Sequence, residues 1–110
     1  MTGFEMGEKT GKSVKMARLD DIANRYGTDK GSAWHGYAEQ YDQILRPLSD
    51  SGVRAVVEIG VCRKWDGNRH ICPSLAMWRD WFAGPGLESV IGLDKCDFGI
   101  DDPPILTLVC

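Results

Sequence analysis

The spacing of apolar positions divides the chain into a helical front and an α/β remainder. Between residues 16 and 26, Leu19, Ile22, Ala23 and Tyr26 recur at helical spacing, and Gly27 follows as a C-terminal stop. The polar Thr28-Asp29-Lys30-Gly31 stretch reads as a turn. A second helix is predicted from about Gly36 to Leu45, with Tyr37, Tyr41, Ile44, Leu45 and Leu48 on one face. Pro47 and the run from Ser49 to Gly52 are expected to end it. The period then changes. Residues 53–59 form a β-branched run without strict alternation, which predicts a buried, parallel strand ending at Gly60. Residues 61–73 read as a long loop. Ser74 is then predicted to cap a helix carrying Leu75, Trp78, Trp81 and Phe82, broken by Gly84-Pro85-Gly86. Ser89 to Leu93 is a second strand closing on Asp94, and Ile105 to Val109 is a third.

Strand, helix, strand is a βαβ unit, whose crossover makes its strands parallel. The fold class predicted is therefore α/β: a partial Rossmann-like, doubly wound parallel sheet of three strands, preceded by two short helices. A complete fold of this type uses two such halves. With three strands, the first keeps one side unpaired, an edge through which the chain could self-associate.

Composition narrows the function classes. The chain has 110 residues, 43% hydrophobic and 26% charged, with a formal net charge of -3. No stripe of Lys or Arg stands out, which argues against nucleic acid as a partner. No apolar run is long enough to span a bilayer, so a membrane is not expected either. Residues 1–15, with Lys9, Lys12 and Lys15 and no apolar h-region, read as a flexible tail rather than a signal peptide, leaving residues 16–110 as one domain. The expected location is the cytoplasm, with Cys62, Cys72, Cys96 and Cys110 reduced.

The residues that could carry chemistry lie where the predicted strands end. In doubly wound folds, ligands bind outside the carboxyl ends of the strands. Gly60 would let a ligand approach the backbone, or would simply serve the turn. Glu58 is either a ligand-binding acid or a solvated or backbone-paired carboxylate. Asp94 is placed to accept hydrogen bonds from ribose hydroxyls, with a loop or capping acid as the plainer reading. Trp78, Trp81 and Phe82 read as core. Trp34 and Trp65 read as partly buried, and His35 as a structural or surface histidine in preference to a general base. Cys62, His70, Cys72 and Cys96 lack the paired spacing of a structural zinc site, so no metal is assigned. Asp101-Asp102 before Pro103-Pro104 reads as a solvated loop.

These motifs also carry a resemblance. The run from Val56 to Val61 resembles the first S-adenosylmethionine (SAM) motif of class I methyltransferases, and Ile91 to Asp94 resembles the second. The string from Tyr26 to Gly31, His35 and Tyr37, and the run from Ser74 to Phe82 are similar to a narrower group. That group contains the macrolide-sugar O-methyltransferases of the mycinamicin type. The resemblance runs from about Leu19 onward and covers the front part of such a domain. It implies SAM as cofactor and a small-molecule acceptor. It implies that Gly60 and Val61 approach the methionine part of SAM, that Glu58 bonds near its amino group or the loop, and that Asp94 binds the ribose. Thr28, Lys30 and Tyr37 would close over the cofactor.

The sequence departs from the group in the loop after the first strand. Cys62 stands where the group has glycine, and of the group's Gly-rich loop only Gly67 remains between Arg63 and Pro73. The resemblance also implies a divalent metal and a catalytic base, for which this chain has no counterpart. The function expected is the cofactor-binding half of a SAM-dependent methyltransferase, O-methylating a sugar or other small-molecule hydroxyl, and truncated. The alternative is a non-catalytic SAM- or nucleotide-binding module that docks on a partner. A nicotinamide-binding domain ranks last, because Gly60-Val61-Cys62 breaks the Gly-x-Gly-x-x-Gly fingerprint.

Overall fold

A computed structural model describes residues 17–109; the predicted tail, residues 1–15, lies outside them. The order is α1 (Leu19–Tyr26), α2 (Ala38–Ser51), β1 (Ala55–Ile59), β2 (Lys64–Trp65), β3 (His70–Ile71), α3 (Pro73–Trp81), β4 (Ser89–Asp94), β5 (Asp101–Asp102) and β6 (Ile105–Val109). The main sheet runs β1-β4-β6-β5. β1, β4 and β6 are parallel, while β5 pairs antiparallel with β6. β2 and β3 form a separate antiparallel hairpin.

Six local expectations are corrected. β1, expected to be buried, is exposed at Ala55, Val57 and Ile59 because the face they share has no layer packed on it among the described residues. Trp34 and Trp65, expected to be partly buried, are exposed. Helix α2 continues through Pro47 to Ser51. Proline removes one backbone donor, but the helix goes on for one more turn and stops at Gly52, at φ 96°. Residues 61–73 are not wholly loop. Asp66 closes the β2–β3 hairpin, its Oδ1 accepting from the amides of Asn68 (2.8 Å) and Arg69 (2.9 Å). Ser74 does not cap α3; Cys72 occupies the N-cap and Pro73 opens the helix, where a missing N–H costs nothing. Asp101-Asp102 is a short strand rather than a solvated loop, and Asp102 pairs with Arg69 at 3.0 Å.

The core forms where α3 is enclosed between α1 and the sheet. Leu75, Ala76, Met77, Trp78 and Trp81 are buried together with Leu19, Ile22 and Ala23 of α1 and Val90 and Ile105 of the sheet. Burying Leu75 or Met77 completely stabilises by about 1.5–3 kcal/mol each. α1 is also tied to α3 by polar groups: the Tyr26 hydroxyl donates to Asp80 and accepts from Arg79 Nη2 at 3.0 Å. Burial, and then the Asp80 carboxylate, push the Tyr26 pKa up.

The register gives the sheet two unlike faces. Val56, Val90 and Ile105 form a row toward α3, followed by Glu58, Gly92 and Thr107. The opposite face carries Val57, Ile91 and Leu106, then Ile59, Leu93 and Leu108. That face is open: Val57 is 55%, Ile59 78% and Leu108 43% exposed. The outer edge of β1 is unpaired among the described residues.

Candidate cofactor site

The carboxyl ends of β1 and β4 lie side by side, with Ile59 in register with Leu93. Gly60 N donates to Leu93 O (2.8 Å), which fixes the exit of β1 against β4. Gly60 sits at φ +79°, a conformation that disfavours side chains, and a Cβ there would meet nothing within 4 Å. The backbone at this point faces open space. Val61 then turns back into the core, and its amide donates to Asp94 Oδ2 at 3.1 Å. The other Asp94 oxygen accepts from Cys96 N at 3.0 Å. These amides, that of Cys96 first, hold the Asp94 pKa below the usual carboxylate range.

The 27–31 turn approaches β1 from the other side. Gly27, in the left-handed conformation, caps α1 by donating to Ala23 O and Asn24 O. The turn is drawn onto α2 by the bond from Ala38 N to Lys30 O (2.7 Å). Gly31 packs so closely on α1 that a Cβ would fall 2.2 Å from Asn24 Oδ1. Lys30 reaches Glu58, with Nζ 2.9 Å from Oε2. Ser74 Oγ, in the first turn of α3, donates to Glu58 Oε1 at 2.7 Å. Glu58 therefore links the turn, the end of β1 and the start of α3.

Between these elements lies a cavity of about 280 Å³. Thr28, Lys30 and Gly60, all singled out in the sequence, share its wall with Gly27, Asp29, Trp34, Cys62, Lys64, Pro73 and Ser74. Glu58 bonds to two of these wall residues. Val61 and Asp94 stand at the neighbouring strand end and are outside the wall. Tyr37 is also outside it, exposed and stacked on His35 with ring centroids 5.3 Å apart. The sequence reading missed Lys64 and Ser74 as site residues. Lys64 was hidden in a segment read as loop, although Asp66-Gly67 is a hairpin signal.

Among the described residues, no group of three or more His, Cys, Asp or Glu side chains is arranged to hold a metal ion. No helix of these residues is long and apolar enough to cross a membrane.

Three parallel strands, a buried crossover helix and a glycine-ended first strand make a Rossmann-like, doubly wound α/β arrangement, and the solved structures it matches are methyltransferases. Its particular likeness is to macrolide-sugar O-methyltransferases. The chain is 38% identical over 82 residues to L-olivosyl-oleandolide 3-O-methyltransferase of Streptomyces antibioticus. That match covers 72% of this chain and 19% of the relative. The MycE methyltransferase of the mycinamycin biosynthetic pathway, solved with Mg, SAH and mycinamycin VI, matches with TM-score 0.67 and 29% identity. It covers 86% of this chain, which spans 25% of MycE. The same protein solved with Mg and SAH alone matches equally well. No protein-family model matches the chain.

Proposed function

We propose that residues 16–110 form the donor-binding part of a SAM-dependent methyltransferase, acting on a sugar or other small-molecule hydroxyl in the cytoplasm. The observation that carries this reading is the open space over Gly60. A backbone fixed by Leu93 O and unshielded by any Cβ faces a cavity at the strand ends, where such folds take their ligands. The cofactor, when bound, supplies the methyl group on an electrophilic sulfonium carbon.

The chain's own residues then have distinct tasks. Gly60 admits the methionine part of the cofactor. Glu58, held by Lys30 and Ser74, fixes the turn and the start of α3 around it. Asp94 stays ionised and keeps acceptor capacity for the ribose hydroxyls, since each carboxylate oxygen has a second lone-pair site. Thr28 and Lys30 form the closing side of the cavity, and Tyr37, which is exposed, would close over the cofactor. The described residues offer no carboxylate cluster for a divalent ion, and no step is derived through one. Equilibrium dialysis of the folded chain against labelled SAM tests the reading. Retention competed away by S-adenosylhomocysteine supports it; no retention overturns it.

A second reading is favoured by the open sheet face and the unpaired edge of β1. The chain would then act as a non-catalytic binding module that self-associates or docks through this edge by β-addition. Sedimentation equilibrium separates the two: a dimer abolished by Ile59→Lys, with no SAM retained, favours this reading.

A further inference from the structure

We infer that Lys64 seats an anionic group in this cavity, and that the group is the carboxylate of the cofactor's amino-acid portion; the inference rests on the SAM reading of the same site. Lys64 lies on β2, in the segment that joins β1 to α3. Its side chain folds back over Gly27, with Nζ 2.7 Å from the point a Gly27 Cβ would occupy. The missing Cβ is what makes room for the ammonium.

The two cations of the wall differ. Lys30 is engaged by Glu58 at 2.9 Å. Arg63, next to Lys64 in the chain, donates to Phe98 O at 3.2 Å. Lys64 has no carboxylate within ion-pairing distance among the described residues, yet it faces a cavity that also receives the N-terminal turn of α3. Both features favour negative charge at that point. The wall also contains one carboxylate, Asp29, near Lys30 (4.0 Å) and His35 (3.9 Å). A free phosphate would be repelled by Asp29 and by Glu58 behind Lys30. A zwitterion satisfies both signs, with its carboxylate on Lys64 and its ammonium toward the acids. The amino-acid end of SAM has this character.

The test titrates the full chain calorimetrically with S-adenosylhomocysteine and with its decarboxylated analogue, which lacks only the carboxylate. The wild-type chain should prefer the parent compound by roughly tenfold, the scale of one charge-assisted hydrogen bond. Lys64→Met should bind both alike, weakened only toward the parent compound, and Lys64→Arg should keep the preference. Lys64 is exposed on a two-residue strand, so circular dichroism should be unchanged. If Lys64→Met keeps the wild-type preference, or the wild type has none, Lys64 is not the seat while the SAM reading stands. If the wild type binds neither compound, both fall.

Discussion

Lys30 and Glu58 form an ion pair of 2.9 Å, with only 20% and 13% of their side chains exposed. The pair fastens the 27–31 turn to the end of β1, and Ser74 completes the junction from α3. Removing the lysine charge leaves the largely buried Glu58 with Ser74 Oγ alone among the described residues, and removing the glutamate charge leaves Lys30 with only the distant Asp29 at 4.0 Å. Lys30→Met and Glu58→Gln should each destabilise the chain by about 1–3 kcal/mol in urea unfolding. The double variant should lose less than the sum, because both remove the same interaction. Additive losses would mean that the pair is not coupled.

Gly92 is required by packing. A Cβ there would lie 2.8 Å from Leu75 Cδ1 and 3.1 Å from Val61 Cγ1. Leu75 is fully buried and has little room to yield. Gly92→Ala should cost about 1–3 kcal/mol. It should also weaken cofactor binding by displacing Val61, whose amide holds Asp94. Gly86→Ala, where an added Cβ meets nothing within 4 Å, is the control and should be nearly neutral.

Acid should destabilise the fold at the carboxylates whose pKa is depressed, Asp42, Asp66 and Asp94. Asp94 is held below the ordinary carboxylate range by the amides of Cys96 and Val61. At Asp42 burial works toward a higher pKa, but hydrogen bonds from Arg46 and Leu19 N outweigh it and the pKa falls. A depressed folded pKa gives stability that is full above the unfolded value and is lost as pH falls through the folded one. Unfolding free energy should therefore decline steadily from about pH 5 downward. Asp94→Asn should make that decline shallower.

The cysteines should differ in reactivity. Cys72 is buried, and burial first, then the nearby Glu58 charge, push its thiol up to about 11. It should resist alkylation at pH 8 in the folded chain, since the thiolate is the reactive form. Cys62 and Cys96 are exposed and should be modified first. Peptide mass mapping after brief iodoacetamide treatment reads this order directly.

The three parallel strands were the most legible part of the sequence, whereas the two-residue strands β2, β3 and β5 were read as loop. Ser89–Asp94 and Ile105–Val109 follow from short β-branched runs bounded by turn residues, and the unpaired edge of β1 from counting three strands. Gly27 ends α1 as its spacing suggested. What local pattern could not supply was tertiary. Pro47 looks like a stop, yet one lost donor does not outweigh the continuation of α2. Ser74 looks like a cap, but its hydroxyl is directed to Glu58, a partner brought near only by the fold. At the candidate site, Gly60 was singled out by its place at the strand end, and Thr28 and Lys30 only by the resemblance; all three line the cavity. Lys64 was not singled out, because its place over Gly27 depends on a hairpin of two-residue strands, too short to give a periodic signal.

The most direct test of the central claim is isothermal titration of the folded chain with S-adenosylhomocysteine, beside Asp94→Asn. The account predicts saturable binding at one site, weakened by roughly tenfold or more when the Asp94 charge is removed. A chain that unfolds cooperatively and shows no binding would contradict it.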